Sequence, residues 1–268
     1  MGGNGTDLGA FMTSRAARSI IRGQEVHAGY SEVMSSWISR LQGRFVVFDG
    51  PDGSGKSTQF RRFSSWLKSS NLSVTELREP GGTPIGERIR EVLLDVAHEE
   101  MTITCEMLLY MASRAQIVEE VVRPAIERGD LVLADRFISS THAYQGSGGG
   151  LSKDAIDHVG KVAVGDLMPD LTVIFDVDQD TAARRLNPLL DRMERKGAVF
   201  HSRVREGYLD LARREPDRVV VIDARPGEDI VFESLIDTLR ERLGQAPGVV
   251  RNSGAQKPRV APSSQGSS

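Results

Sequence analysis

The residues best suited to chemistry are Gly50-Pro51-Asp52-Gly53-Ser54-Gly55-Lys56-Ser57-Thr58: a glycine, four residues, then Gly-Lys-Ser. Glycines at this spacing let successive backbone N–H groups converge on an anion. A helix beginning near Lys56 aims the positive end of its dipole at the same point. Lys56 is spaced to reach the terminal groups of a polyphosphate, and the Ser57 hydroxyl to hold Mg²⁺. The pattern carries meaning only between a strand and a helix, and both flanks are right. Arg44–Asp49 is a short apolar run that reads as a buried strand, and Gln59–Ser70 sets Phe60, Phe63, Trp66 and Leu67 at helical spacing.

Three further groups carry charge in suggestive places. Arg78-Glu79-Pro80-Gly81-Gly82-Thr83 combines a turn built by proline and glycine with an Arg-Glu pair that a plain turn does not need. Asp135-Arg136-Phe137 ends an apolar run. Its arginine suits either a phosphate, through its fork of donors, or a structural ion pair. Asp191-Arg192-Met193-Glu194-Arg195-Lys196 lies near Arg184 and Arg185. Such a run fits an exposed helical face, and equally a lid whose cations neutralise a transferred phosphate in a dry site. The glycine loop has Ser54 where an arginine could stand, which favours an arginine supplied from elsewhere.

These groups must be positioned by the intervening elements. Strands are expected at Arg44–Asp49, Ser73–Leu77, Leu131–Ala134, Leu171–Phe175 and Val219–Ile222. Helices are expected at Gln59–Ser70, Ile85–Val96, Glu106–Arg128, Leu151–Val164, Asp180–Arg214 with a break near Pro188, and Glu228–Leu243. Apolar strands alternating with helices predict an α/β fold, a five-stranded parallel sheet covered on both faces. Ligands in such folds bind at the carboxyl ends of strands, where Asp49, Arg78-Glu79, Asp135-Arg136 and Asp176 all fall.

The 268 residues are 39% hydrophobic and 26% charged, ordinary for a soluble globular chain. No apolar run approaches the length needed to span a membrane, so no membrane partner is expected. The net charge of −3 argues against broad nucleic-acid binding. One cysteine, Cys105, excludes an intrachain disulfide and makes a reducing cytoplasm the expected location. The five histidines lack ligand-like spacing. Residues 1–43 hold Arg15, Arg18 and Arg22 among serines, as transit peptides do. Acidic residues among them and the absence of a basic amphipathic face favour a disordered extension, or a start before Met12 or Met34 that was assigned too early. Residues 244–268, rich in Gly, Pro, Ser and Gln, read as a mobile tail, leaving 44–243 as the domain.

Together the motifs resemble those of the thymidylate kinase family of P-loop nucleoside-monophosphate kinases. The resemblance rests on Phe48–Gln59, Arg78–Thr83, Leu108-Leu109-Tyr110-Met111-Ala112-Ser113-Arg114-Ala115-Gln116, Asp135–Gly146 and Asp191–Glu194, in the family's order and covering about residues 44–243. It implies a P-loop NTPase-type three-layer fold with a helical lid, a homodimer packed through helices, and ATP and dTMP as substrates, with Mg²⁺. ATP would lie on Gly50 to Thr58 with Arg184 and Arg185, and Mg²⁺ on Ser57 and Asp135. The acceptor would be held by Arg78, Tyr110, Arg114, Arg136, Ser140, Thr141 and Tyr144. In this scheme Tyr110 stacks on thymine, Arg114 and Thr141 read its edge, and Tyr144 lies under the deoxyribose. Asp52, Lys56, Arg136 and the lid residue Arg192 would carry the catalysis. Two departures stand out. Asp49 replaces the family's usual glutamate, one methylene longer, so a water-mediated contact is expected, and Phe137 replaces a tyrosine or histidine. A kinase for a different nucleotide, and a nucleotide switch or binding module without catalysis, are the competing readings. A GTPase is excluded because no Asn-Lys-x-Asp occurs.

Overall fold

The computed structural model describes residues 37–185 and 191–244. The break expected near Pro188, the extension before residue 37 and the tail after 244 lie outside the described residues. Five strands form one sheet: β1 Phe45–Asp49, β2 Val74–Arg78, β3 Leu131–Asp135, β4 Leu171–Asp176 and β5 Val219–Asp223. The order is β2-β3-β1-β4-β5 with every pairing parallel. The central strands bury both faces, as their unbroken apolar runs require. From β1, Phe45 and Val47 point into one core layer, and Val46 and Phe48 into the other.

The helices supply the covering layers. α1 Lys56–Ser69 follows β1, α2 Pro84–Leu94 follows β2, and α3 Ile103–Ile117 leads through a wider turn at Val118–Val122 into α4 Arg123–Glu127. After β3 come α5 Ile138–Thr141 and α6 Lys153–Val164. After β4 come α7 Gln179–Arg185 and α8 Ala198–Arg214, and α9 Glu228–Leu243 follows β5. The starts of α2, α3 and α6 are fixed by side-chain caps. Thr83, Thr102 and Ser152 accept from the N–H groups of Gly86, Cys105 and Ala155. α1 and α9 pack on the layer containing Phe48 and Phe175, and α3, α4 and α6 on the layer containing Phe45 and Phe137.

Two expectations need correction, and one segment without an expected form proves helical. The helix expected over Glu106–Arg128 begins at Ile103 and is interrupted, because Pro124 lacks an N–H to continue the ladder. The segment from Ile138 to Gly148 is helical, its second part, His142–Gly148, wound in wide turns. Its serines, threonine and glycines are weak helix formers. It is helical because α8 packs on it, with Gly207 so close that an added Cβ would lie 2.6 Å from Ser147 Cβ and 3.2 Å from Ala143 Cα. Lastly, residues 37–43 belong to the folded body: Trp37, Ile38 and Leu41 are buried in the α1/α9 layer, and Trp37 stacks on Trp66 at 5.8 Å.

Candidate active site

The carboxyl ends of β1, β2 and β3 open onto a cavity of about 320 Å³. Asp52, Lys56, Ser57, Asp135 and Arg136 stand at one end. Pro80, Leu94, Tyr110, Thr141 and Met193 line the rest, with Arg78, Arg90, Ser140, Tyr144 and Gln145. Cation and carboxylate groups thus meet at the phosphate loop, and the same cavity carries two aromatic rings, Tyr110 and Tyr144, and the apolar Pro80, Leu94 and Met193 beside the charged Glu79, Asp191 and Glu194.

The loop needs its glycines for two distinct reasons. Gly50, Gly53 and Gly55 have φ of 138°, 76° and 81°, in the region that favours glycine. A Cβ on Gly50 would lie 2.5 Å from the carbonyl of Phe175, and one on Gly53 2.5 Å from that of Ala182. The buried Pro51 and Ser54 complete the turn, with the Ser54 N–H donating to Pro51 O at 3.3 Å. Lys56 opens α1, and its Nζ donates to Asp135 Oδ1 at 2.7 Å, while Ser57 Oγ donates to Asp135 Oδ2 at 3.2 Å. Burial pushes the Asp135 carboxyl up, but Lys56 and Arg136 outweigh it and hold it below its ordinary value. A serine hydroxyl beside an ionised carboxylate, facing the position a polyphosphate would take, is an oxygen donor set that suits Mg²⁺. Among the described residues no cluster of three or more His, Cys, Asp or Glu side chains forms a metal cage.

Arg136 sits at the hub. Its φ is 73°, uncommon for a side chain this large. Nη1 donates to Gly50 O at 3.2 Å, Asp49 Oδ1 at 3.3 Å, Ser140 Oγ at 3.1 Å and Tyr208 OH at 3.2 Å. Nη2 pairs with Asp52 and donates to Tyr144 OH at 3.3 Å. The guanidinium also lies over the Tyr144 ring at 5.1 Å. Burial opposes its charge, and the surrounding carboxylates and phenols more than compensate. Burial likewise pushes Asp52 up, and Arg136, Tyr144 and Lys56 draw it below the usual carboxylate value. The shorter Asp49 reaches its partners directly, which corrects the expectation of a water between them. Its Oδ1 accepts from Tyr208 at 2.6 Å and Ser140 at 2.8 Å, and its Oδ2 from Ser139 at 2.6 Å.

Deeper in, Arg114 is buried behind the cavity wall. Nε donates to Glu79 Oε2 at 2.7 Å and Nη1 to Thr141 Oγ1 at 3.0 Å. Burial pushes the Glu79 carboxyl up to about 7, against the pull of Arg114. Glu79 Oε1 has no partner. Arg78 lies at the rim beside Glu87, 3.4 Å away.

The lid arginines are not gathered at the cavity. Arg192 is buried, with Nη1 2.6 Å from Glu106 Oε2 and Nε donating to Leu93 O at 2.7 Å. The physical reason is Glu106, whose fully buried carboxylate also holds Lys196 at 2.8 Å and Gln145 at 2.8 Å, and which needs these cations where it is. Arg184 is exposed and donates to Thr181 Oγ1. Arg185 donates to the carbonyls of Ala224 and Arg225, at 2.9 and 3.1 Å. It lines a second pocket on the outer side of the loop, with Gly53, Gly55, Thr58, Gln59 and Gly227. Two buried atoms there, Ser54 Oγ and Gln59 Oε1, have no partner.

Sequence reasoning missed Arg90, Glu106 and Tyr208 as members of the site, and placed Glu79 at a strand end without assigning it a role. Glu79 lies inside a quoted motif, and Tyr208 sits on an apolar stripe, Phe200, Val204, Tyr208 and Leu211, where one hydroxyl asks for a partner.

Comparison with known proteins bears on the same residues. The family model described as thymidylate kinase matches residues 48–235. A thymidylate kinase of Deinococcus radiodurans is 47% identical over 205 residues, 75% of this chain and 98% of that protein. One from an Exiguobacterium species is 45% identical over 207 residues, 76% of this chain and 98% of that protein. The crystal structure of thymidylate kinase from Ehrlichia chaffeensis superposes with a TM-score of 0.61 at 32% identity, covering 73% of this chain and 98% of the other. With the phosphate loop and the Asp52–Arg136 end of the cavity inside the matched span, the chain belongs to the thymidylate kinase family.

Proposed function

We propose that the protein transfers the γ-phosphoryl group of ATP to the 5′-phosphate of dTMP, giving ADP and dTDP. The observation that carries this reading is the meeting of Lys56, Asp135, Asp52 and Arg136 in a cavity that Tyr110, Pro80 and Thr141 also line. The charged groups suit two phosphate chains, and the Tyr110 ring a flat base.

In this reading the loop N–H groups and Lys56 hold the donor phosphates. The unpartnered Ser54 and Gln59 atoms, with Arg185 beside them, support the outer pocket as the place for the rest of ATP. Ser57 and Asp135 would hold Mg²⁺, which supplies charge neutralisation between donor phosphates when bound. Arg136 grips the acceptor phosphate, and Asp52, paired with it, fixes the direction of that grip. Tyr110 stacks on the base. Thr141 reads its edge, Arg114, held rigid by Glu79 behind the wall, donates to Thr141 from the far side, and Tyr144 floors the sugar. The acceptor oxygen is already ionised, so positioning and electrostatics do the work and no strong base is required. Arg192 is assigned instead to anchoring residues 191–196 on Glu106.

The protein would act in the cytoplasm. Among the described residues no helix is long and apolar enough to cross a membrane. Exposed Ile85 and Val92 on α2 and Leu108 on α3 support a homodimer built through these helices.

The test is coupled ADP release with ATP, Mg²⁺ and each of dTMP, dUMP, dCMP, UMP and dGMP. A strong preference for dTMP is expected. Preference for another monophosphate would overturn the base-pocket roles of Tyr110, Arg114 and Thr141, and silence with all five would overturn the reaction.

A further inference from the structure

We infer that Tyr208, on a helix outside the cavity, is a positioning residue that sets the acceptor-phosphate grip of Arg136; this rests on the reading of Arg136 given above. Tyr208 is fully buried and does not line the cavity, so it touches no substrate. Its hydroxyl donates to Asp49 Oδ1 at 2.6 Å, accepts from Arg136 Nη1 at 3.2 Å and meets Ser140 Oγ at 2.9 Å. Those three partners come from β1, from the end of β3 and from α5. Tyr208 joins them to α8.

The need for such a clamp follows from Arg136 itself. Its backbone is in the left-handed region, and its Nη1 is shared among four acceptors at 3.1 to 3.3 Å, each a long contact. No single acceptor fixes the plane of the guanidinium on that side. The short bonds belong instead to Asp49, which receives Tyr208, Ser139 and Ser140 within 2.8 Å. Asp49 is therefore held first, and Arg136 is aligned against the preorganised Asp49–Tyr208–Ser140 group. Tyr208 is located tightly because its neighbour Gly207 lets α8 approach Ala143 and Ser147, one turn from Tyr144. The Tyr208 ring meets that of Tyr144 edge-on at 6.3 Å. A phosphate arriving at Nη2, where it would replace the Tyr144 hydroxyl beside Asp52, then finds a donor plane already fixed from behind, which is where a positioning group contributes to binding.

The experiment is Tyr208→Phe, which keeps the ring and removes the hydroxyl, measured by steady-state kinetics with whichever monophosphate the unaltered enzyme prefers. The KM for that acceptor is expected to rise about tenfold, the loss of a buried hydrogen bond in a charged group, with the KM for ATP unchanged. Affinity for the matching nucleoside, which lacks the phosphate, should stay the same. In an Arg136→Lys background the added Tyr208→Phe effect should fall below twofold. Asp49→Asn, which weakens the same anchor, should reproduce the acceptor effect and serves if Tyr208→Phe does not fold. An unchanged acceptor KM in both variants, equal loss of nucleoside affinity, or full multiplication with Arg136→Lys would overturn the inference while leaving the reaction intact. Absence of turnover by the unaltered enzyme with every monophosphate would overturn the reaction and the inference together.

Discussion

At the scale of single residues, the buried Glu79 and the mostly buried His142 act in opposite directions. Burial raises Glu79 to about 7 and lowers His142 to about 4. The folded state binds the Glu79 proton more tightly than the unfolded chain does. Its contribution to stability is therefore full below pH 4.5 and is lost as pH rises through 7. His142 is held neutral, so its contribution is present above pH 6.5 and is lost as pH falls toward 4. Between pH 5 and 7 the two offset one another. Glu79→Gln should remove one side, so its unfolding temperature should drop on acidification from pH 7 to 5 by at least about 3 °C more than that of the unaltered protein. Thermal scans across this range check it; parallel profiles would show that Glu79 is ionised throughout. The Gly-Lys-Ser pattern, Asp135 and Arg136 were legible in the sequence at this scale because each does its work within a few residues of a strand end. The partner of Glu79, and the roles of Glu106 and Tyr208, were not, since the groups they meet stand 35, 90 and 159 positions away.

At the scale of elements, the central strands could be read because burial on both faces demands unbroken apolar runs, whereas the starts at Ile103 and Lys153 were placed wrongly although Thr102 and Ser152 cap them locally. The helical turn at Ile138–Gly148 could not, because its form comes from α8 and not from its own propensity. Gly207→Ala tests that dependence. The added methyl would meet Ser147 and Ala143 and should cost about 2 kcal/mol, with a raised KM for the acceptor because Tyr144 lies in the displaced turn. Gly227→Ala, where a Cβ meets nothing within 4 Å, should change stability by less than about 0.5 kcal/mol. Chemical denaturation of both variants separates contact from mere loss of glycine. Equal effects would show that the contact at Gly207 is relaxed at no cost.

At the scale of the whole molecule, the folded body begins before the domain limit read from the sequence. Trp37, Ile38 and Leu41 close the α1/α9 layer. A protein of residues 37–244 should turn over like the full chain. One of residues 44–243 should lose about 4–9 kcal/mol, the burial of three large side chains, and melt more than about 10 °C lower. Calorimetry of the two, side by side, decides the boundary; equal melting temperatures would show that residues 37–43 add nothing.

The sequence by itself determined the parallel α/β sheet, the phosphate loop and the identity of the groups at the strand ends. Those features depend on periodicity and on chemistry confined to neighbours in the chain. The tertiary structure decided which charges face the cavity and which face each other. Arg192 and Arg136 look alike in sequence, each beside an aspartate. The buried carboxylate of Glu106 takes the first, while Asp49, Asp52 and Tyr208 hold the second at the mouth of the site. That choice rests on which counter-charge is desolvated within reach of each, a property of the packed core and not of the local sequence.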